Sequence, residues 1–262
     1  MRIEPYVIET GAGQPVVLLH AFPLNASMWL AQREALGTTH RVITPDQRGF
    51  GGTQLGHDQP SLDEVADDVA AMLDARKLDR VVLGGLSMGG YVAMAFLRRH
   101  AERVSALILA DTKIGADSPE AAANRRRIAD EVIAAGSSAQ LVDALLPSLL
   151  GETSRQRRAL VVGRVKALIE KAPAYAVAWA QRAMAERPDS AATLAAVSVP
   201  TLVVVGEEDT ISPPDDAELI AKTVPGATLT RIPAAGHLSA VEAPAEFNAV
   251  VSEFLAGLPT AD

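Results

Sequence analysis

A serine between glycines is the feature of the sequence with the clearest chemistry. Ser87 lies in Gly84-Gly85-Leu86-Ser87-Met88-Gly89-Gly90, after an apolar run (VVLG) and before a helix-like run (YVAMAFLRRH). On a tight strand-to-helix turn, larger side chains two residues either side of the serine would collide with the strand or the helix. The pattern therefore predicts a nucleophilic serine whose Oγ stands clear of a sheet. The alternative is a glycine-rich turn with an idle serine.

A serine hydroxyl needs a base within hydrogen-bond reach, and the sequence offers five histidines. His237 follows the last predicted strand and precedes the final predicted helix, whereas His20 ends an early strand. Polar surroundings indicate ordinary surface positions for His40, His57 and His100. The chain order serine, acid, histidine selects His237 as the base, against the alternative of an ordinary loop histidine.

An acid must orient the base, and several carboxylates are candidates. Asp209 follows a predicted strand in Gly206-Glu207-Glu208-Asp209-Thr210, where Glu207 and Glu208 are rivals by position. Asp111 ends an earlier predicted strand and is a further rival. Asp215 and Asp216 begin a helical run and suit the positive end of its dipole instead. Spacing favours Asp209 but leaves the choice open.

Short apolar runs alternate with helical patterns and would position these residues. The runs are continuous, which suits parallel strands that are buried on both faces. We predict strands over residues 3–8, 15–20, 41–45, 80–84, 105–111, 200–206 and 227–232. We predict helices over residues 62–78, 88–100, 215–223 and 244–255, the first opened by a capping box of Ser61 and Glu64. The expected fold class is α/β, with a mostly parallel sheet flanked by helices.

One long segment interrupts this alternation. Residues 113–199 carry no strand signal and are rich in Ala, Leu and Arg, which predicts about four helices, one of them over residues 153–171. Insertions after the carboxyl ends of strands tend to cover the ligand crevice of an open α/β sheet. We therefore expect a core of residues 1–112 and 200–262 with an inserted helical cap (lid) of residues 113–199. A packing decoration is the alternative.

Composition limits the class of function. The chain has 262 residues, a net charge of −8 and no cysteine, which excludes disulfides and thiolate chemistry and argues against nucleic acid as a partner. The N-terminus lacks an apolar signal region, and no window is apolar enough for a membrane span. We expect a cytoplasmic protein with a small-molecule substrate, no membrane partner, no metal and no other cofactor. Association into a homo-oligomer is left open.

Together, six motifs resemble the α/β-hydrolase superfamily along nearly the whole chain. They are His20-Ala21-Phe22-Pro23, residues 46–51, residues 85–89, residues 206–209, Gly236-His237 and Glu242-x-Pro244. Within the superfamily the chain looks most like small carboxylesterases, 3-oxoadipate enol-lactonases and cofactor-free haloperoxidases (perhydrolases). The resemblance implies that Asp209 is the acid and His237 the base of a triad with Ser87.

The resemblance also implies an oxyanion hole and a structural role for His20. The oxyanion donors would be the backbone N–H groups of Phe22 and Met88, with His20 holding the loop that carries Phe22. Ala21 departs from the glycine usual at its position, and alanine is disfavoured where φ is positive. We interpret Arg48 as a structural ion-pair former.

The expected function is therefore a serine hydrolase that cleaves a small carboxylic ester or lactone through an acyl-enzyme. Serine at the turn excludes the relatives that use an aspartate nucleophile. Perhydrolysis by the same triad and a non-catalytic ligand-binding receptor are the alternatives. Candidate lining residues are Phe22, Leu145 and Met184, together with the four that we assign to the substrate pocket: Leu24, Trp29, Leu146 and Trp179.

Overall fold

A computed structural model describes residues 2–259, and its centre is a seven-stranded sheet. The strand order is β1-β3-β2-β4-β5-β6-β7, in which β1 pairs antiparallel with β3 and all other pairs are parallel. The expected α/β class with a mostly parallel sheet is confirmed. The strands are β1 (Val7–Thr10), β2 (Pro15–Leu19), β3 (Arg41–Pro45), β4 (Val81–Leu86), β5 (Val104–Ala110), β6 (Thr201–Gly206) and β7 (Thr228–Ile232).

The central strands are buried along their whole length. Every residue of β4 and β6 is buried, as expected for continuous apolar runs between two helical layers. At the edge, the strand expected over residues 3–8 begins only at Val7. The side chain of Ile3 is instead buried in the core, and its N–H donates to Asp68 Oδ1 at 2.8 Å. The backbone of Ile3 is therefore not paired with a neighbouring strand.

Twelve α-helices surround the sheet in the described part of the chain. Six of them, α4 to α9, lie between β5 and β6, where the sequence predicted about four. The helix expected over residues 153–171 is two helices, divided at Arg158, whose ψ of 62° is not helical. The helices are α1 (Leu30–Leu36), α2 (Leu62–Ala75), α3 (Met88–His100), α4 (Pro119–Ala135), α5 (Leu141–Leu149), α6 (Glu152–Arg157), α7 (Ala159–Lys171), α8 (Ala174–Ala185), α9 (Ala191–Ala195), α10 (Pro214–Thr223), α11 (Ser239–Glu242) and α12 (Pro244–Ala256).

Two further expectations concern the ends of the chain and its membrane-spanning capacity. Residues 1 and 260–262, which belong to the expected core, lie outside the described residues. Across residues 2–259, no helix combines the length and the apolar character that crossing a membrane requires.

The start of α2 is capped differently from the prediction. Ser61 Oγ accepts a hydrogen bond from the Asp63 N–H at 3.2 Å, so Ser61 is the N-cap. No hydrogen bond joins the Glu64 carboxylate to the Ser61 N–H; one of its oxygens lies 3.3 Å from Arg48 Nη2 instead. The capping-box prediction is therefore wrong at Glu64.

Arg48 ties the turn after β3 to α2. Its guanidinium is buried and donates to both oxygens of the buried Asp68, through Nε and, at 3.0 Å, through Nη2. Arg48 Nη1 also donates to Asp58 at 2.8 Å. A buried charge is tolerated only when it is paired and hydrogen-bonded, and here the pairs join two segments of chain. The interpretation of Arg48 as a structural ion-pair former is confirmed.

We expect Arg48→Met to lower the free energy of unfolding by about 3–5 kcal/mol, because it leaves the Asp68 carboxylate buried without its cation. Denaturant unfolding followed by circular dichroism measures this change. The matched control is Arg127→Met, which breaks the exposed pair with Glu131 and should change stability by about 0.5 kcal/mol or less. Equal effects of the two substitutions would contradict the assigned role of Arg48.

Close backbone approaches explain the glycines around Ser87. A Cβ atom on Gly89 would lie 2.2 Å from the carbonyl oxygen of Leu19 at the end of β2. A Cβ atom on Gly85 would lie 2.1 Å from the carbonyl oxygen of Gly89. Both neighbours are backbone atoms, which cannot rotate away. The steric reason for the two glycines is therefore confirmed.

We expect Gly89→Ala to lower the free energy of unfolding by about 2–3 kcal/mol or more, because α3 must move away from β2. Gly163→Ala is the matched control, since its Cβ would meet no atom within 4 Å and Gly163 lies inside α7. That substitution should stabilise the protein by about 0.5–1 kcal/mol. Thermal and denaturant unfolding measure both changes, and a neutral Gly89→Ala would refute the packing argument.

Candidate active site

Three polar side chains meet at the carboxyl edge of the sheet. Ser87 follows β4, Asp209 follows β6 and His237 follows β7. His237 Nε2 lies 2.7 Å from Ser87 Oγ, and His237 Nδ1 lies 2.8 Å from Asp209 Oδ2. The three residues therefore form one continuous line of hydrogen bonds, with His237 and Asp209 almost completely buried.

The backbone of Ser87 is strained, with φ 57° and ψ −114°. Non-glycine residues rarely adopt a positive φ, and they keep it only when the surroundings fix it. Here the Ser87 N–H donates to the Ala110 carbonyl at 2.9 Å, and Thr112 Oγ1 donates to the Ser87 carbonyl at 2.9 Å. Thr112 was not identified from the sequence, because its partner is distant along the chain.

Asp209 is oriented by the backbone that follows it. Its Oδ1 accepts hydrogen bonds from the N–H groups of Ile211 at 2.8 Å and Ser212 at 2.9 Å. Its Oδ2 is thereby left for His237 Nδ1. A proton on Nδ1 then satisfies the carboxylate, so that Nε2 presents its lone pair to Ser87 Oγ. This tautomer is the one in which His237 can accept a proton from the serine.

The rival carboxylates have other partners. Glu208 accepts hydrogen bonds from the backbone N–H of Thr153 at 2.8 Å and from its hydroxyl, whereas Glu207 is exposed. Asp111 accepts from the Gly206 N–H at 2.9 Å and is bonded to Ser239. None of the three carboxylates is hydrogen-bonded to His237.

Asp111 joins the loop that carries Asp209 to the loop that carries His237. One of its oxygens bonds Gly206, at the end of β6, and the other bonds both the N–H and the Oγ of Ser239, two residues after His237. Burial raises the pKa of Asp111 well above its usual range, and the nearby Asp209 raises it further. Asp111 therefore belongs to the support of the site.

Glu242 holds the histidine loop from the other side. Its buried carboxylate accepts hydrogen bonds from the backbone N–H groups of Gly236 at 2.9 Å, Leu238 at 3.1 Å and Gly151 at 2.9 Å. Gly151 directly precedes α6, so the same carboxylate fastens the helical segment to the residues on either side of His237. The Glu242-x-Pro244 motif was noted in the sequence, but this role was not foreseen.

The two residues expected to supply oxyanion donors, Met88 and Phe22, lie in different elements. Met88 is the first residue of α3, where an N–H has no acceptor within the helix and the helix dipole is positive. Phe22 follows β2 and lines the same cavity as Ser87 and His237. Ala21 is not among the described residues with positive φ, so alanine is accommodated there without strain.

His20 supports the loop that carries Phe22. Its Nε2 accepts a hydrogen bond from the Gln47 N–H at 2.9 Å, which places the proton on Nδ1, 3.0 Å from the Ala21 carbonyl oxygen. Gln47 Nε2 returns a bond to the His20 carbonyl at 2.7 Å. Burial lowers the pKa of His20 and favours this neutral form. The geometry agrees with the structural role expected for His20.

A cavity of about 240 Å³ adjoins Ser87 and His237. One side comes from the sheet edge and α3, and the other comes from α4, α5 and α8. Its volume suits a ligand smaller than a typical drug. The lining residues are Phe22, Ser87, Tyr91, Ala121, Asn124, Arg125, Ile128, Leu145, Leu149, Gln181, Met184, Ile211 and His237.

None of the four residues assigned to the pocket lines this cavity, so that assignment is wrong, although the candidates Phe22, Leu145 and Met184 do line it. Leu24 and Trp29 are buried in the core, with Trp29 packed against Phe247. Trp179 is also buried and donates its indole N–H to the Asp58 carbonyl at 3.1 Å. Leu146 packs against the core, although its neighbour Leu145 faces the cavity.

Comparison with known proteins places this arrangement in context. A model of the alpha/beta hydrolase fold matches residues 14–244. A thermophilic esterase from Thermogutta terrifontis, solved with malate bound, is 44% identical with a TM-score of 0.95, covering 98% of this chain and 94% of that one. 3-Oxoadipate enol-lactonase 1 of Acinetobacter baylyi is 27% identical, covering 92% of this chain and 88% of the relative.

A third relative is similar over a shorter stretch. A putative non-heme chloroperoxidase of Synechocystis sp. is 38% identical over 109 residues, which are 41% of this chain and 40% of the relative. Esterase-like, lactonase-like and haloperoxidase-like proteins are thus all among its relatives. Since the family model spans most of the sheet and the sheet has the expected parallel order, the chain belongs to the alpha/beta hydrolase superfamily, a family of hydrolytic enzymes.

Proposed function

We propose that this protein is a serine hydrolase that cleaves a carboxylic ester or lactone of a small molecule. The observation that carries the proposal is the line of hydrogen bonds from Asp209 through His237 to Ser87 Oγ, with separations of 2.8 and 2.7 Å. Serine, histidine and aspartate in this arrangement supply a nucleophile, a base and a group that orients the base.

The proposed reaction proceeds in two acyl-transfer steps. His237 Nε2 takes the hydroxyl proton of Ser87 as Oγ attacks the substrate carbonyl, and it then gives that proton to the departing alkoxide. In the second step His237 takes a proton from water, whose oxygen attacks the acyl-enzyme. Collapse of this second intermediate releases the acid and returns the proton to Ser87. Asp209 holds the imidazole and stabilises its charged form.

We propose that the N–H groups of Met88 and Phe22 stabilise the oxyanion that forms in both steps. Backbone donors that are already fixed in place need no reorganisation as the negative charge develops. Met88 adds the positive end of the α3 dipole. Phe22 is held by the His20–Gln47 bonds, which fix the loop after β2.

The segment from α4 to α9 is proposed to act as a cap over the site. Its helices α4, α5 and α8 supply the side of the cavity opposite Ser87 and His237. The limited cavity volume favours short-acyl esters and small lactones. The names of the esterase and enol-lactonase relatives support this substrate class.

The nucleophile can be tested with p-nitrophenyl acetate and a fluorophosphonate probe. We expect the wild-type protein to turn over the ester and to be labelled at Ser87. Ser87→Ala should abolish labelling and lower kcat by about 10⁴-fold or more, because the hydroxyl that forms the acyl-enzyme is missing. Peptide mapping by mass spectrometry locates the label. A folded protein without turnover or label would favour the non-catalytic receptor instead.

The acid can be tested with Asp209→Asn, which should lower kcat by about 10³- to 10⁴-fold, because the amide no longer holds the required tautomer of His237. Glu207→Gln is the matched control, since Glu207 is exposed two residues earlier and should leave kcat within about 2-fold of wild type. The same ester assay measures both variants. A larger loss in Glu207→Gln than in Asp209→Asn would overturn the acid assignment.

Perhydrolysis is a second candidate, favoured by the similarity to a chloroperoxidase. Hydrogen peroxide would replace water in the second step, so that the acyl-enzyme yields a peracid. Assays of the same short-acyl esters with and without peroxide separate the two reactions, because only perhydrolysis generates peracid that oxidises a halide or a dye.

A further inference from the structure

The cavity beside Ser87 is lined by hydrogen-bond donors that have no acceptor. Three polar side chains from the cap helices face it: Asn124, Arg125 and Gln181. Arg125 Nη1 donates to Gln181 Oε1 at 3.0 Å, and Arg127 donates to Asn124 Oδ1 at 2.8 Å. Both amide oxygens are thus occupied, while the Nδ2 of Asn124 and the Nε2 of Gln181 remain as donors.

Arg125 itself has one free amino group. Its Nε donates to Asp117 and its Nη1 to Gln181, but Nη2 has no acceptor among the described residues. The side chain of Arg125 is 23% exposed, so ligand and solvent can reach it. A guanidinium that two protein groups fix in place presents its remaining N–H groups in a defined direction, at little entropic cost to a ligand.

The charges around Arg125 do not cancel. Asp117 is shared, because its other oxygen lies 2.7 Å from Arg187 Nη1. Burial would raise the pKa of Asp117, but Arg125 and Arg187 outweigh that effect and lower it, so Asp117 is an anion at neutral pH. Two guanidiniums therefore face one carboxylate, and the cluster keeps a net charge of about +1.

Arg187 cannot take a ligand in place of Arg125. It is buried and is not among the residues that line the cavity. Its guanidinium lies 4.1 Å from the centre of the Tyr91 ring, and its Nη1 and Nη2 donate to the carbonyls of Met184 and Gly115, each at 3.0 Å. No carboxylate of the described residues lines the cavity. The uncompensated charge is therefore available to a ligand only through Arg125.

We propose that Arg125, Asn124 and Gln181 form a subsite for a carboxylate, so that the preferred substrates are small esters or lactones that carry a second, ionised carboxyl group. The inference rests on the proposed function, because it places this group in the same cavity as the carbonyl that Ser87 attacks. Donors without acceptors and a net positive charge favour an anion over a neutral polar group. A carboxylate can bridge the Arg125 Nη2 and an amide nitrogen.

The test compares monoethyl succinate with ethyl succinamate, its neutral near-isostere. We expect wild-type kcat/KM to favour the anionic ester, and Arg125→Gln to lower the ratio of the two kcat/KM values by about 10- to 100-fold, the loss typical of a hydrogen bond to a charged group. Arg126→Gln is the matched control, because it removes one positive charge from the same helix at an exposed pair with Glu186. It should keep the ratio within about 2-fold.

Two outcomes would overturn the subsite: a wild-type ratio of one or less, or an equal loss on both esters in Arg125→Gln. Arg125→Lys serves where Arg125→Gln does not fold. It keeps the charge but replaces the planar fork of N–H groups by a single ammonium, which cannot hold Asp117 and Gln181 through two separate nitrogens while a third nitrogen points to a ligand, so the ratio should still fall. An unchanged ratio in that variant counts against the proposal.

Ligand binding separates this inference from the proposed function. Succinate should raise the Tm of the Ser87→Ala protein more than succinamide does at matched ionic strength, and Arg125→Gln should remove the difference. If wild type hydrolyses neither ester but succinate still stabilises it through Arg125, the hydrolase proposal fails and the subsite stands. If wild type hydrolyses both esters but succinate does not stabilise the Ser87→Ala protein, the subsite proposal fails and the hydrolase proposal stands.

Discussion

Ser87 keeps its left-handed backbone because the end of β5 fixes it on two sides: the Ala110 carbonyl accepts its N–H, and the Thr112 hydroxyl donates to its carbonyl. At this turn the backbone of α3 packs directly against the ends of β2 and β4, so that Gly85 and Gly89 have no room for a Cβ atom. The strain at one residue thus sets the spacing of three elements. It also places Ser87 Oγ within 2.7 Å of His237 Nε2.

Buried carboxylates stabilise the loops around this turn. Asp209, Asp111 and Glu242 each accept hydrogen bonds from backbone N–H groups of loops that no ladder would otherwise hold. Polar oxygens inside a protein are costly unless such donors surround them, so each of these three carboxyl groups stabilises the loop conformation that encloses it. Glu242 accepts hydrogen bonds from Gly236 and Leu238, on either side of His237, and Asp111 accepts from Ser239, two residues further on. The short hydrogen bonds of His237 follow from this support.

The helices α4 to α9, which we propose to form a cap, are coupled to the same carboxylates. Glu242 accepts a hydrogen bond from the Gly151 N–H, and Glu208 accepts one from the Thr153 N–H. The start of α6 is therefore attached both to the loop that carries His237 and to the loop that carries Asp209. A displacement of the cap would therefore disturb the residues that orient His237. The cavity between the two parts is apolar near α5 and rich in donors along α4 and α8. Helices α4, α5 and α8 thus supply much of the shape and polarity of the cavity, whereas Ser87 and His237 come from the edge of the sheet.

Patterns in the sequence were sufficient to predict the α/β class, most strands of the sheet, the Ser87 turn and the position of His237. These depend on short-range patterns: apolar runs, glycine spacing and the order of residues after successive strands. The tertiary structure decided which carboxylate reaches His237, since Asp209, Glu208 and Asp111 follow strands in equivalent ways and differ only in their partners. It also decided which residues line the cavity. Tyr91, Leu149 and Arg125 line it, whereas the residues that the sequence analysis had assigned there do not: Leu24, Trp29, Leu146 and Trp179. The direction of a side chain on a cap helix depends on how that helix rotates against its neighbours, and this rotation is fixed by contacts between segments far apart in the chain.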